Sequence, residues 1–184
     1  RPCINCFVCV AQNFWNGEPV CAVNPRLGNY EEKVEVPKKL KNVVIVGAGP
    51  SGLECARMAS NRGHKVTLLE QTRSLGGTAL FSSLTTPKNG ELINWFERIL
   101  KDSEVVIRKN FLADSKSIMS FDPDVVVIAT GSQSSKSNIK GSELPHVLSR
   151  DQLKALLQEA NSSEIIKGRK NLSYLLLWLG RKSG

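Results

Sequence analysis

The chain predicts an α/β fold, a doubly wound parallel sheet preceded by a small cysteine-rich segment. Three observations predict it. Val43, Val44, Ile45 and Val46 form a branched apolar run of the length expected for a strand buried on both faces. Three glycines follow at the spacing Gly47-x-Gly49-x-x-Gly52, and the next stretch, Leu53 to Arg62, is free of Gly and Pro, as a helix should be. A second strand, Val66 to Leu69, then ends on an acid, Glu70. Strand, glycine turn, helix and acid-terminated strand form the Rossmann-like unit of FAD- and NAD(P)-binding domains.

Each residue of that unit has a physical task. Gly47 permits the tight turn off the strand, Gly49 lets the backbone approach a pyrophosphate, and Gly52 lets the helix pack hard on the sheet. Pro50 and Ser51 stand at the helix start, where free N–H groups and a partial positive charge favour phosphate. Glu70 lies 21 residues beyond Gly49. A carboxylate there accepts hydrogen bonds from the two hydroxyls of an adenosine ribose and repels a 2′-phosphate, which favours FAD, NAD or ADP over NADP.

The 184 residues suffice for one full domain and a small attachment. The net charge of +8 is concentrated at one end, with +4 in the last 21 residues. No zinc-finger, RNA-binding or helix-turn-helix pattern accompanies it, so a basic tail is expected rather than a nucleic-acid partner. No signal peptide is evident, and the apolar run Tyr174 to Leu179 is too short to span a bilayer. A cytoplasmic protein without membrane partners is expected. The sequence opens at Arg1, directly on a cysteine motif and without methionine, as a fragment of a longer chain would.

Four of the five cysteines fall within the first 21 residues, as Cys3-x2-Cys6-x2-Cys9-x11-Cys21. A disulfide framework would suit an oxidising compartment, whereas a nucleotide-binding domain argues for a reducing one. Three cysteines at steps of three allow one loop to wrap three corners of a cuboidal [4Fe–4S] cluster, with Cys21 supplying the fourth thiolate. Zinc knuckles use two separated pairs, so the triplet suits zinc less well, although zinc or no metal stays open. The remaining Cys55, early in the first helix, reads as a small packing residue.

Asn16 to Pro19 and Asn24-Pro25 are turn chemistry. Gly28 to Lys41 is polar and reads either as a linker or as an ordered strap. Residues 1–38 are thus expected to form the cysteine segment and linker, residues 39–153 the dinucleotide domain, and residues 154–184 a tail of uncertain role. Gly76-Gly77 invites close approach of a backbone or cofactor, or makes a plain turn. Glu91 to Lys101 is an amphipathic helix, with Leu92, Trp95, Phe96, Ile99 and Leu100 in one stripe, so Trp95 reads as core. Val105 to Ile107 reads as a third strand and Val125 to Ile128 as a later buried one. Thr130 and Gly131 follow at that strand's carboxyl end, where ligands of open parallel sheets sit. Val147 to Leu157 accommodates a helix capped by Ser149 or Asp151. Neither His64 nor His146 has a triad-like partner, and no catalytic residue is assigned.

Three stretches in this order resemble one known family: Arg1-Pro-Cys-Ile-x-Cys6-x-x-Cys9-Val10, Cys21-x-Val23-Asn24-Pro25, and Val44-Ile-Val-Gly-Ala-Gly-Pro-Ser-Gly-Leu-Glu54. It is the family of iron–sulfur flavoproteins that includes bacterial 2,4-dienoyl-CoA reductase and trimethylamine dehydrogenase, related to old yellow enzyme. The resemblance runs from Arg1 to about Leu153 and covers only the middle of the family's chain. It implies Cys3, Cys6, Cys9 and Cys21 as cluster ligands, and Gly47, Gly49, Gly52 and Glu70 as FAD or ADP contacts. It also places Gly76, Gly77, Thr130 and Gly131 near that cofactor. An FMN-binding barrel domain and a second nucleotide-binding domain would belong to the full-length chain. The family has proline where Lys140 stands, so the path of the preceding loop is left open.

The expected function is therefore the electron-transfer portion of a flavin-dependent NAD(P)H oxidoreductase. It would relay electrons through FAD and the cluster to FMN elsewhere, for reduction of an enoyl-type substrate. A structural ADP-binding module and a zinc-stabilised interaction protein are the alternatives. The dinucleotide domain is expected to be incomplete, with an exposed sheet edge and poor solubility.

Overall fold

The structure is a computed structural model that describes residues 1–27, 37–132, 139–144, 147–149 and 151–152. It divides into two compact units, Arg1–Gly131 and Ser132–Gly184. Among the described residues four strands build the first unit: β1 (Asn42–Val46), β2 (Lys65–Leu69), β3 (Val106–Arg108) and β4 (Val125–Ile128). They form one sheet in the order β3-β2-β1-β4, and every pairing is parallel. Val44 of β1 stands beside Thr67 of β2 on one side and Val126 of β4 on the other. The expected third strand is displaced by one residue, and the others lie within a residue of their sequence limits.

The alternation of a pleated strand sorts these residues onto two faces. Val43, Ile45, Val66 and Leu68 join the main core, together with Leu53 and Ala56 of α2 (Pro50–Asn61) and Leu92, Ile93, Phe96 and Leu100 of α4 (Pro87–Lys101). The predicted apolar stripe is therefore the buried face of α4, and Ile93 widens it. Trp95 is half-buried and packs edge-on against Phe96, with ring centroids 4.9 Å apart. On the opposite face Val44 and Leu69 are buried, while Val126 and Ile128 remain 38% and 67% exposed. That face is thus open at β4 among the described residues.

α4 starts at Pro87, four residues before the sequence limit at Glu91, because proline suits the first turn of a helix. α3 (Gly77–Ser82) and the short α1 (Val8–Phe14) and α5 (Ser115–Met119) were not expected from periodicity. α5 is closed by a capping box, in which the Asp114 carboxylate accepts from Ser117 N–H and the Ser117 hydroxyl accepts from Asp114 N–H. His64 holds the entrance to the sheet, its Nδ1 accepting from the Lys41 N–H at 3.1 Å, which is the structural role expected of it.

Within residues 1–27, Ile4 and Val23 lie against the core of the sheet unit. In the second unit Ser149 and Gln152 make reciprocal cap bonds at the start of the expected helix, whose body lies outside the described residues. Most of the 28–41 segment, the 133–138 loop, His146 and the tail also lie outside them. Among the described residues no helix is long and apolar enough to cross a membrane.

Candidate functional site

β1 lies between β2, reached through α2, and β4, reached after the chain has crossed to the other side. The carboxyl ends of β1 and β4 thus frame a switch point, the place where open α/β sheets hold ligands. Gly47 turns the chain there with φ 102°, a conformation that side chains rarely adopt. A Cβ at Gly47 would lie 2.5 Å from the Ala129 carbonyl oxygen and 3.0 Å from the Thr130 Cα. The Ala129-Thr130 segment therefore passes directly against the glycine turn, and both Thr130 and Gly131 are exposed.

The three fingerprint glycines separate cleanly by what surrounds them. A Cβ at Gly52 would stand 1.9 Å from the Gly47 carbonyl oxygen, so this glycine is required for α2 to seat on the turn. At Gly49 a Cβ would meet nothing within 4 Å. Gly49 is also the N-cap of α2, with no side-chain cap, and Pro50 and Ser51 follow it exposed at the helix start. The open side of the turn thus presents backbone and the positive end of a 12-residue helix, which is the geometry that receives phosphate.

Gly76 and Gly77 complete the rear of the turn. The Gly76 N–H donates to the Ala48 carbonyl at 2.8 Å, and a Cβ at Gly77 would come within 3.2 Å of the Gly49 Cα. The neighbour that this pair admits is the glycine turn itself. Gly76 also lies under Ile93 of α4, where a Cβ would meet Cγ1 at 2.8 Å.

Glu70 is 7% exposed, and its carboxylate is bound on both oxygens. Oε2 accepts from the Ala48 N–H at 2.8 Å, inside the glycine turn, and Oε1 accepts from the Thr72 N–H and Oγ1, each at 2.8 Å. Glu70 therefore braces the turn. Sequence reasoning missed Thr72, because a threonine in a turn carries no pattern of its own.

The cysteine segment supplies four thiols of which none is in a disulfide. Cys3, Cys6 and Cys9 are exposed and Cys21 is half-buried. Cys3 and Cys21 line one cavity of about 250 Å³ with Arg1, Pro2, Val23 and Asn24, and Cys6 and Cys9 lie outside it. Among the described residues no three His, Cys, Asp or Glu side chains are gathered at metal-binding separation. The donor chemistry fits a thiolate-bound metal. The loop also offers Cys3 Sγ a backbone donor, Asn5 N–H, at 3.3 Å. Asn5 and Phe7, between the cysteines, hold left-handed φ values of 56° and 59°, a conformation that asparagine takes readily and phenylalanine rarely.

Arg1 joins this segment to the sheet unit. Its guanidinium donates to the Val23 carbonyl and to both oxygens of Glu54 on α2, and lies 5.0 Å from the centroid of Trp95. Arg57 donates to the same carboxylate at 2.8 and 2.9 Å. Burial alone would raise the pKa of Glu54, but the hydrogen bonds and charges of Arg57 and Arg1 outweigh it and hold the carboxyl below its ordinary value. Beside it, burial and the Glu54 charge push the Cys55 thiol up, which keeps it protonated in its packing role.

Residues 45–105 match the family model of the NAD(P)-binding Rossmann-like domain. Over 147 residues the chain is 39% identical to cinnamate reductase of Clostridium sporogenes, a match covering 78% of this chain and 22% of that enzyme. It is likewise 39% identical over 152 residues to NADH oxidase of Thermoanaerobacter brockii, covering 78% of this chain and 23% of the other. Among solved structures, 2-naphthoyl-CoA reductase in complex with 2-naphthoyl-CoA superposes with a TM-score of 0.71 at 34% identity, over 77% of this chain and 22% of that one. The chain thus spans a little over a fifth of the length of these relatives. Its sequence, sheet and glycine turn are those of one segment of the proteins in the 2,4-dienoyl-CoA reductase, trimethylamine dehydrogenase and old yellow enzyme family of flavin oxidoreductases.

Proposed function

We propose that this chain is the electron-transfer portion of a flavin-dependent NAD(P)H oxidoreductase, with an FAD or ADP site in the Rossmann-like unit and a [4Fe–4S] site at Cys3, Cys6, Cys9 and Cys21. The observation that carries the reading is the asymmetry of the glycine turn. Gly47 and Gly52 are held against protein, while Gly49 faces open space at the start of α2. There the chain binds a pyrophosphate through backbone and helix terminus, and Glu70 takes the adjoining ribose.

When bound, FAD accepts an electron pair as hydride and the cluster passes single electrons, so together they convert one kind of transfer into the other. The residues of this chain position those groups, and among the described residues no acid is assigned to protonate a substrate. Substrate chemistry is therefore assigned to an FMN-binding barrel domain elsewhere in the full-length chain, which also carries a second nucleotide-binding domain. An enoyl-type substrate is supported by the names of the relatives, since cinnamate is an unsaturated acid and 2-naphthoyl-CoA an unsaturated thioester.

Anaerobic purification followed by an absorption spectrum and assays of iron, sulfide and released nucleotide tests this reading. About four irons per chain with a broad brown absorption, and flavin released on denaturation, is the expected result. The same iron with ADP and no flavin would make the nucleotide site structural. A colourless zinc protein without nucleotide would overturn both.

A further inference from the structure

Glu70 already has three protein donors before any nucleotide is considered. They are the Ala48 N–H on Oε2, and the Thr72 N–H and Thr72 hydroxyl on Oε1, all at 2.8 Å. A carboxylate offers about four lone-pair sites. A ribose diol brings two further donors, so one of the existing three has to leave if both hydroxyls are to be received.

Two of the three cannot leave. The Ala48 N–H belongs to the glycine turn, whose backbone is fixed by the Gly76 N–H bond to the Ala48 carbonyl. The Thr72 N–H is held where the chain leaving β2 meets the segment after β3, with Asn110 N–H donating to the Thr72 carbonyl and Phe111 N–H to that of Glu70. The Thr72 hydroxyl differs, for its single proton faces two acceptors at the same 2.8 Å distance, Glu70 Oε1 and the Ser74 carbonyl. A hydroxyl has one proton and turns freely to suit its partners.

We propose that Thr72 is a positioning residue that keeps Glu70 Oε1 occupied in the empty site and yields it to a ribose hydroxyl by turning its proton to the Ser74 carbonyl. The proposal rests on the reading of this site as one for an adenosine diphosphate. In both states the carboxylate is satisfied and the Thr72 proton is bonded, so nucleotide entry leaves no polar group orphaned. A nucleotide that lacks the hydroxyl facing Oε1 leaves that oxygen with Thr72, at little cost. Without the Thr72 hydroxyl, the same nucleotide leaves part of a buried carboxylate unpaired.

The test is the dissociation constant of ADP, 2′-deoxy-ADP and 3′-deoxy-ADP for the nucleotide-free chain, measured calorimetrically for wild type, Thr72→Val and Thr72→Ser. For the hydroxyl that meets Oε1, wild type and Thr72→Ser are expected to prefer ADP over the deoxy analogue by about threefold or less. Thr72→Val is expected to widen that preference about tenfold. Thr72→Ala reads the same ratio should the valine variant not fold. Equal ratios in wild type and the hydroxyl-free variants, with all three ligands weakened alike, would make Thr72 a structural residue and overturn the proposal. A serine variant that behaves like valine would overturn it too. A folded wild type that binds no ADP would overturn the site reading itself, which the ADP measurement alone reveals.

Discussion

Both carboxylate oxygens of Glu54 lie 2.7 Å from the same guanidinium nitrogen of Arg1, 53 residues away in sequence. The pair is mostly buried, and Arg57 completes the cage from the next turn of α2. It fastens the cysteine segment to α2, within about a turn of the N-terminus that opens at the glycine turn. Glu54→Gln is expected to destabilise the protein by about 1–2 kcal/mol, because it leaves two guanidinium groups short of their charged acceptor. Arg1→Met, which keeps contact with Trp95, is expected to cost less. Thermal melts of the two single variants and the double variant measure the coupling.

The same pair sets a pH dependence. The folded-state pKa of Glu54 lies below its ordinary 4.5, so its stabilisation is fully present above that value and is lost as pH falls through the folded pKa. The difference in Tm between wild type and Glu54→Gln is expected to stay constant from neutral pH to about 5.5 and to shrink below about 4. A difference that persists unchanged in acid would show that the carboxylate charge is not what matters.

Gly49→Ala and Gly52→Ala separate binding from folding within one turn. The Gly52 variant drives a Cβ to 1.9 Å from a backbone oxygen and is expected to lose about 3 kcal/mol or fail to fold. The Gly49 variant meets no protein atom, so its Tm in the absence of nucleotide is expected to stay within a degree or two of wild type. Its ADP affinity is expected to fall about tenfold or more, since the methyl occupies the space that a pyrophosphate would enter. Titration calorimetry and thermal melts on both variants decide the matter.

Replacing a single thiol tests the metal reading. Cys9→Ser, Cys21→Ser and Cys55→Ser are expected to diverge, the first two lowering iron per chain and the third leaving it at the wild-type level. Iron and acid-labile sulfide on anaerobic samples give the readout. Equal iron in all three variants would remove Cys9 and Cys21 from the ligand set.

What the sequence revealed and what it withheld divide along physical lines. β1, β2 and the apolar stripe of α4 were legible, because burial writes its period directly into Val43–Val46 and Leu92–Leu100, whereas β4 was legible as a strand but not as the buried one expected, since Val126 and Ile128 stay exposed. The tasks of Gly47 and Gly52 were legible for a related reason, as only glycine fits where another backbone comes so close. α5 was missed although Asp114-x-x-Ser117 carries a cap signal, since serine rather than Glu or Gln stands at the third position. α1 was missed because Cys6 to Val10 reads as a ligand loop. The bonds of Arg1 to Glu54 and of Thr72 to Glu70 left no trace, for neither long-range pairing nor hydroxyl orientation has a sequence period.

The separation of Arg1 from Glu54 also has a meaning in time. A ribosome adding 5–20 residues each second takes roughly 3–10 s to travel from one to the other. Throughout that interval the cysteine segment has been made and the helix that anchors it has not. Its four thiols therefore meet the metals and oxidants of the cell before the clamp can close over Val23. On the proposed reading, a metal taken up by those thiols would reach them before the segment docks on α2.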